Sequence, residues 1–310
     1  MHKFILRRLL LLIPVMLGVS FIVFSMMHLV PGDPAVALAG GELASLEAIE
    51  EIREIMGFND PFLVQYFRWL GNLVFHGNLG YSFSTGLGVM DQIVTRFPAT
   101  LQIALASVVV SVVIGIPIGI ISATKQYSIF DNVSMFLALI GVSMPGFWQG
   151  LLLILLFSVN LGWLPFGGLN GIRYLILPAI TLGTSSAAMI ARMTRSSMLE
   201  VVGQDYIKTA RAKGQTERIV INRHALKNAL IPIITVIGLQ FGFLITGALI
   251  AETVFTIPGL GRLMIDGINQ RDFPVVQGSV LFVALSFSIV NLLVDILYGF
   301  VDPRVKSQYR

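Results

Sequence analysis

Residues 9–30 of the chain read LLLLIPVMLGVSFIVFSMMHLV and contain no Asp, Glu, Lys or Arg. An α-helix needs about 20 consecutive apolar residues to cross the hydrocarbon core of a bilayer. Leu9–Val30 therefore predicts a membrane-spanning helix. Lys3, Arg7 and Arg8 precede this stretch, and basic residues collect on the cytoplasmic side of membrane helices. We expect the chain to enter the membrane from the cytoplasm.

The alternative to a retained helix is a signal peptide that is removed after export. Ala37-Leu38-Ala39 fits the small-residue pattern of a cleavage site. The apolar stretch, however, is longer than the roughly 7–15 residues of a signal-peptide core. Its length favours a helix that stays in the mature protein.

The composition of the whole chain agrees with a lipid environment. Of the 310 residues, 55% are hydrophobic and only 12% are charged, and the mean hydropathy is +0.82. About a quarter of the residues in a soluble domain are charged. This composition excludes a cytosolic enzyme, a disordered protein and a nucleic-acid-binding module. The chain has no cysteine, which excludes disulfides, thiolate metal sites, iron–sulfur clusters and a cysteine nucleophile.

Five further apolar stretches predict an all-α membrane protein with six transmembrane helices. They are Ala99–Thr124, Asn132–Val159, Leu175–Ala191, Leu230–Phe255 and Val280–Val301. Since an even number of spans returns the chain to the side where it started, both termini are predicted to be cytoplasmic.

The distribution of basic residues tests this orientation. The net charge is +4 and the pI is near 9.5. The predicted topology assigns 15 of the 21 Lys and Arg residues to the cytoplasmic side and six to the outside, as the positive-inside rule requires. Membrane topology therefore explains the excess of basic residues without a nucleic-acid partner. The outer six are Arg53, Arg68, Arg96, Arg173, Arg262 and Arg271.

Glycines four residues apart occur in three of the predicted spans. The pairs are Gly115/Gly119, Gly146/Gly150 and Gly238/Gly242. This spacing lets two membrane helices approach closely, although glycine is also generally common in membrane helices. Three pairs in three helices favour a tightly packed bundle over independent anchors.

The segment between the first two spans is predicted to lie outside the cell. Leu46, Ile49, Ile52 and Ile55 recur every three residues between glutamates, and Gly57 follows, which indicates an amphipathic helix with a glycine stop. Pro61 begins a second helix with Leu63, Phe67, Leu70 and Val74 on one side. These helices could lie on the outer leaflet, pack on the bundle or receive an external partner. We divide the chain into residues 1–98, the first span with this external segment, and residues 99–310, a five-helix core.

The main cytoplasmic loop is predicted at residues 192–228, between the fourth and fifth spans. Within it, Asp205 is a candidate N-cap whose carboxylate accepts hydrogen bonds from the first turn of a helix. Gly214 occupies the position where a left-handed residue ends a helix. The segment between them predicts a helix of about two turns, whose basic residues on their own fit a solvated loop equally well.

The sequence offers little for catalysis or for nucleotide binding. The four histidines, His2, His28, His76 and His224, lie away from the centres of the predicted spans and form no H-E-x-x-H metal motif. No lysine follows a glycine, so the chain has no phosphate-binding P-loop. If ATP drives this protein, another chain binds it.

Two acidic residues lie at predicted membrane depth. Glu252 is at the outer end of the fifth span and Asp295 is inside the last one. An acid inside a membrane is costly and by default suggests a function, such as an ion or proton relay in a secondary transporter. The alternatives are an interhelical hydrogen bond or a residue that lines a wet cavity, which we favour because no ionisable partner is near either residue in sequence.

Four stretches of this sequence resemble the permease subunits of dipeptide and oligopeptide ABC importers, most closely the dipeptide-type first permease. The first runs from Arg7-Arg8-Leu9-Leu10 to Val30-Pro31-Gly32-Asp33-Pro34-Ala35. The second is similar to the "EAA" loop of that family, with RMTRSSMLE at 192–200, then DYI at 205–207 and TARAKG at 209–214. The others are Pro258-Gly259-Leu260-Gly261 and Asp302-Pro303-Arg304. The loop departs from the general I-x-L-P ending, since His224-Ala225-Leu226-Lys227 stands there, as in the peptide-importer branch.

The resemblance implies a type I ABC importer permease fold in a bacterial or archaeal plasma (inner) membrane. The partners it implies are a homologous second permease in a heterodimer, two cytoplasmic ATPase subunits and an external solute-binding protein. ATP and magnesium would bind to the ATPase subunits, and this chain would bind no cofactor and catalyse no reaction. Substrates of similar permeases include dipeptides, longer peptides, glutathione and nickel complexes.

The resemblance also assigns a role to the short helix in the cytoplasmic loop. In this family the helix docks into a groove of the ATPase and transmits its movement to the bundle, so Gly214→Leu or Asp205→Lys should leave the protein inserted but separate ATP hydrolysis from uptake. Glu252 and Asp295 are candidates for the translocation path. The residues that correspond to the coupling helix are Asp205, Tyr206, Thr209, Ala210, Arg211, Ala212, Lys213 and Gly214.

Overall fold

The computed structural model describes residues 2–29, 33–39 and 44–301, and helices make up most of these residues. Val30-Pro31-Gly32 of the first resembling stretch and the motif Asp302-Pro303-Arg304 lie outside the described residues. The helices are α1 His2–Leu29, α2 Pro34–Leu38, α3 Leu46–Met56, α4 Phe62–His76, α5 Val89–Thr124, α6 Ile129–Ser143, α7 Gly146–Leu153, α8 Ile172–Val202, α9 Asp205–Ala212, α10 Glu217–Ile219, α11 Leu226–Val254, α12 Leu260–Asn269 and α13 Phe273–Val301.

The described residues contain five helices that are long and apolar enough to cross a membrane, or six if a bent pair counts as one span. The five are Leu6–Met26, Val89–Thr124, Ile172–Val202, Glu217–Val254 and Phe273–Ile296. This agrees with the predicted all-α architecture and with the number of spans.

The third predicted span, Asn132–Val159, is not one straight helix. It consists of α6 and α7, with a bend of 102° between them, and α7 continues as a π-helix over Ile154–Asn160. Met144 has extended backbone angles and Pro145 is the N-cap of α7. A proline disfavours the helical conformation in the residue before it, which explains the break. The apolar stretch predicted as the third span is therefore present as a bent pair of helices.

The helices on either side of the predicted cytoplasmic loop are longer than their apolar parts. α8 continues to Val202, and one helix runs from Glu217 to Val254 through a π-helical segment at Val220–Ala225. Arg and Glu are good helix formers, so charge ends the apolar stretch without ending the helix. Much of the predicted loop at 192–228 is therefore helical, and the fifth helix begins before Leu230.

The chain divides into two compact units. The N-terminal unit contains Arg7–Pro98 and Pro258–Ser286, and the core unit is built mainly from Ala99–Ile257 with the last helix from Phe287 onward. Compared with the predicted 1–98 segment, the N-terminal unit begins at Arg7 and also contains Pro258–Ser286.

The external segment of the N-terminal unit forms the two predicted helices. Ser45 caps α3 by accepting the N–H of Ala48 at 3.2 Å, and Gly57 ends it in the left-handed conformation. Asp33 accepts the N–H of Ala35 and pairs with Arg53 of α3. Hydrogen bonding to Asp33, together with its charge, raises the pKa of Arg53.

α4 packs on α1 through a side centred on Tyr66. Tyr66 is buried, and its hydroxyl lies 2.9 Å from the hydroxyl of Ser20 on α1. The rings of Phe21 and Phe24 contact the ring of Tyr66. The predicted apolar stripe of Leu63, Phe67, Leu70 and Val74 is instead largely exposed on this chain. An apolar stripe in a membrane protein can face lipid, so hydrophobicity alone does not identify its buried side.

Two of the three glycine pairs mediate close helix packing in the core unit. A Cβ atom on Gly115 would lie 2.7 Å from the carbonyl oxygen of Ala187 on α8, and one on Gly119 would lie 2.6 Å from that of Ala191. Gly238 and Gly242 of α11 meet Val294 and Phe287 of α13 in the same way. In the third pair, Gly146 has open space beside it.

Candidate functional site

The short helix α9 is held against the core unit by two inward-facing side chains. Ile207 is fully buried, and Ala210 is 8% exposed. Both belong to a hydrophobic cluster, here called the α9 cluster, which draws residues from α5, α8, α9 and the helix from Glu217 to Val254. Its buried members are Ala123, Met198, Ile207, Ala210, Val220, Ala225, Ala229 and Ile233. A movement of α9 is therefore coupled by packing to three long helices.

The start of α9 differs in detail from the prediction. Gln204 is the N-cap, with extended backbone angles, and Asp205 is the first helical residue. The carboxylate of Asp205 accepts a hydrogen bond from Lys208 at 2.9 Å, so the proposed N-cap role of Asp205 was wrong by one position. An acid in the first turn still interacts favourably with the helix dipole.

The end of α9 forms as predicted around Gly214. Gly214 has φ of +75°, a left-handed conformation that glycine adopts without steric cost. Its N–H donates to the backbone carbonyl of Arg211 at 2.9 Å, and the N–H of Gln215 donates to the backbone carbonyl of Ala210 at 3.4 Å. These two bonds are the Schellman pattern, which satisfies carbonyl groups at a helix end. The helix therefore stops sharply, and the chain turns into the next helix.

The outward face of α9 is polar and exposed. Tyr206 is 44% exposed, and Lys208, Thr209, Ala212 and Lys213 also face away from the chain. This polar face is accessible from outside the chain, whereas Ile207 and Ala210 face inward.

An ion pair fixes the turn after α9. Nε of Arg211 lies 2.6 Å from Oε1 of Glu217, which is on the other side of Gly214. Exposed pairs of this kind contribute at most about 1 kcal/mol. The pair therefore orients the turn more than it stabilises the fold.

The two small residues of α9 have different surroundings. Ala212 is exposed, so a partner could approach the helix closely at that point. Ala210 faces the α9 cluster, so the close approach it allows is to its own chain.

Glu252 is fully buried in the core unit. Its Oε1 accepts a hydrogen bond from Oγ1 of Thr100 on α5 at 2.5 Å. The neighbouring residues Ala99 and Ala251 belong to one hydrophobic cluster together with Phe255. The structure therefore places Glu252 in an interhelical hydrogen bond, one of the alternatives that the sequence left open. Asp295 lies on α13 with intermediate exposure, and Glu252 and Asp295 lie on different helices, α11 and α13.

Two polar clusters were missed by sequence reasoning. In the core unit, Asp131 at the start of α6 pairs with Arg195 of α8 at 2.8 Å. The S-x-x-D spacing of Ser128 and Asp131 is a helix-start signal that could have marked the first of these residues. Their pairing joins segments 64 positions apart, so no local pattern predicts it.

The second cluster is in the N-terminal unit around Asp272. This buried carboxylate accepts hydrogen bonds from the backbone N–H groups of Phe83 and Ser84, both at 3.1 Å. The hydroxyls of Ser82 and Ser84 donate to the same carboxylate. Asp272 thereby holds the turn of a short hairpin in which Tyr81 bridges to Gly88.

Comparison with known proteins places this architecture in a family. Residues 115–307 match the family described as binding-protein-dependent transport system inner membrane component, and residues 1–104 match the N-terminal part of such membrane components. The dipeptide transport system permease protein DppB of Alkalihalophilus pseudofirmus is 46% identical over 334 aligned positions, which cover 99% of this chain and all of that protein. The glutathione transport system permease protein GsiC of Escherichia coli K12 is 43% identical, with 99% of each chain covered.

The fold has also been observed in a solved transporter. A chain from an inward-facing structure of the MetNI methionine ABC transporter aligns with a TM-score of 0.59 and 21% identity, covering 69% of this chain and 97% of that one. At this identity the match concerns the fold alone. With its membrane-spanning helices, its short exposed helix between two long ones and its near-complete sequence match, the chain belongs to the inner membrane components of binding-protein-dependent transport systems.

Proposed function

We propose that this chain is one of two permease subunits in an ABC importer for dipeptides or short peptides. It would form the translocation path together with a second, homologous permease. An external solute-binding protein would deliver the peptide, and two cytoplasmic ATPase subunits would supply the energy. This chain would bind no nucleotide, metal or cofactor itself and would catalyse no reaction.

The observation that carries the proposal is the position of α9. The helix is exposed on one face, ends in a defined turn at Gly214, and is anchored by Ile207 and Ala210 to a cluster shared with long apolar helices. A partner that binds the exposed face can therefore displace those helices through close packing, since packed interiors transmit strain.

The sequence contains no motif that would let this chain bind ATP itself. The chain has no Gly-Lys dipeptide and so no P-loop, and the exposed face of α9 is suited to a protein partner. ATP and Mg²⁺ are accordingly assigned to the ATPase subunits, whose closure would move α9 in each of the two permeases.

The peptide substrate is supported by the similarity to dipeptide permeases of several bacteria, at 44–46% identity over nearly the whole chain. Glutathione is the second candidate, because a glutathione permease is almost equally similar at 43% identity. Glutathione is itself a tripeptide, so both candidates need a path for a small, zwitterionic, peptide-like molecule.

Reconstitution in liposomes tests the transporter class. We expect uptake of a labelled dipeptide to require both permeases, the ATPase subunits and the binding protein. ATP must be present on the side of the membrane where the ATPase subunits lie. Uptake driven by an ion gradient alone would support a secondary transporter that uses Glu252 or Asp295. Mass spectrometry of the ligand that copurifies with the binding protein decides between dipeptide and glutathione.

Asp205→Lys tests the role of α9 in the same assay. Lysine at the first helical position opposes the helix dipole, at a cost of about 0.3–1 kcal/mol, and removes the partner of Lys208. We expect normal insertion, retained ATP hydrolysis and reduced uptake. Wild-type uptake by this variant would count against α9 as the coupling element.

A further inference from the structure

The bent span formed by α6 and α7 is attached to α8 by two polar contacts. Both helices of the bent pair pack against α8, but their 102° bend means that they approach it in different directions. Each of the two contacts joins one arm of the bend to α8.

The first contact is the ion pair of Asp131 on α6 with Arg195 on α8. Nε of Arg195 lies 2.8 Å from Oδ1, and Nη2 lies 2.8 Å from Oδ2 of Asp131. Asp131 is 2% exposed, whereas the side chain of Arg195 is 24% exposed. Two parallel hydrogen bonds from a guanidinium fix both distance and direction.

The backbone around Asp131 is shaped for this pair. The N–H of Tyr127 donates to Oδ2 of Asp131 at 3.0 Å, and Tyr127 has a left-handed backbone with φ of +61°. Oγ of Ser128 accepts the N–H of Asp131 at 3.2 Å. A non-glycine residue with positive φ is uncommon, so the turn before α6 adopts a costly conformation that brings an N–H group to the carboxylate.

The second contact is on the other arm. Nε2 of Gln149 on α7 donates to Oγ1 of Thr184 on α8 at 2.6 Å. Thr184 and Arg195 are about 16 Å apart along α8, at about 1.5 Å per residue. The two contacts are therefore separated widely enough to resist rotation of the bent span on α8.

Apolar packing between the two contacts is incomplete. An open apolar groove of about 770 Å³ lies between α5, α6 and α8, with Val133, Leu137 and Ala187 among its lining residues. The side chains that face this groove make fewer dispersion contacts within the chain than a fully closed interface would give. The ion pair of Asp131 with Arg195 adds a directional contact beside this groove.

We infer that Asp131 and Arg195 are a positioning pair for the transport cycle. The pair makes the bent span follow α8, and α8 ends at Val202, just before α9. Displacement of α9 by an ATPase would then move α8 and the bent span as one body. This inference rests on the proposed function of α9.

The test uses the complete transporter in liposomes, with uptake and ATP hydrolysis measured on the same vesicles. Asp131→Asn keeps an oxygen for the N–H of Tyr127 but removes the charge, and Arg195→Gln removes the other partner. We expect each to lower the uptake per ATP hydrolysed at least fivefold. The double variant Asp131→Arg/Arg195→Asp restores the attraction and should recover at least half of the wild-type ratio. The control is Arg192→Gln, an exposed position on the same helix, which should keep the wild-type ratio.

A distance measurement supplies a readout that a purely structural role would leave unchanged. Spin labels on cysteines at Leu139 of α6 and Met189 of α8, both exposed, should keep one separation with and without trapped ATP in the wild type. In Asp131→Asn the separation should change between the two states.

The outcomes separate the inference from the proposed function. A wild-type ratio of uptake to ATP hydrolysis in both single variants would overturn the positioning role. A loss of uptake that is fully explained by a smaller amount of assembled complex would also overturn it. If the unmodified transporter shows no ATP-dependent uptake, the proposed function itself fails.

Discussion

Gly214 ends the proposed coupling helix α9 with a left-handed backbone conformation. Its φ of +75° costs glycine little but costs other residues about 1–2 kcal/mol. A Cβ atom there would contact no neighbouring atom, so a substitution acts on the turn and leaves the packing intact. This turn sets the angle at which the chain leaves α9.

Gly214→Leu should therefore uncouple the transporter without unfolding it. We expect normal amounts of inserted protein, retained ATP hydrolysis and strongly reduced uptake in the reconstituted complex. Gly162→Leu is the matched control, because Gly162 has φ of +63° and equally open surroundings outside the loop of α9. Equal loss of uptake in both variants would attribute the effect to backbone strain in general.

Thr100 permits a second prediction at this scale. Its hydroxyl donates to the fully buried Glu252, and loss of a donor to a buried acceptor costs about 1–3 kcal/mol. Thr100→Val should lower the thermal midpoint of the purified chain in detergent. Thr95→Val, at an exposed position of the same helix, should leave the midpoint unchanged. Identical midpoints for the two variants would contradict a stabilising role for the Thr100–Glu252 bond.

At the scale of elements, α9 depends on its anchor in the α9 cluster. Replacing a buried isoleucine by alanine typically costs about 2–5 kcal/mol. Ile207→Ala should therefore loosen α9 locally and speed hydrogen exchange of residues 205–212. Tyr206→Ala removes a larger but exposed side chain and should leave the exchange rates as they are. If both variants exchange at the wild-type rate, packing does not hold α9 in place.

The hairpin held by Asp272 is the corresponding element of the N-terminal unit. Asp272→Asn replaces one acceptor oxygen by a donor that faces the donors of Ser82 and Ser84. We expect faster hydrogen exchange and faster proteolysis at residues 82–86. Asp266→Asn on α12 removes a neighbouring carboxylate that makes none of these bonds and should have no such effect. Unchanged exchange in Asp272→Asn would show that the hairpin is stable without the charge.

The sequence predicted the helices of the chain much better than the contacts between them. Length, hydropathy and the stops at Gly57 and Gly214 are local properties, and the structure agrees with them. The helical ends beyond the apolar stretches were missed, because hydropathy reports the preference of a segment for lipid or water and not its backbone geometry. The pair of Asp131 with Arg195 joins distant positions, and a single sequence carries no signal for it.

At the scale of the whole molecule, orientation in the membrane remains a prediction from the distribution of basic residues. The absence of cysteine makes it easy to test, because single cysteines can be introduced without a background. We expect a cysteine at Gln215 to react with a membrane-impermeant maleimide only in inside-out vesicles. A cysteine at Asn170 should react in intact cells. Both positions are exposed, so the reverse pattern would invert the topology.

The helix from Glu217 to Val254 has a mechanical consequence. At about 1.5 Å per residue it is roughly 55 Å long, whereas the hydrocarbon core of a bilayer is about 30 Å thick. The helix is therefore longer than the hydrocarbon core by about 25 Å. A tilt of about 5° about a pivot at the bilayer midplane would therefore carry its far end, about 40 Å away, through about 3–4 Å.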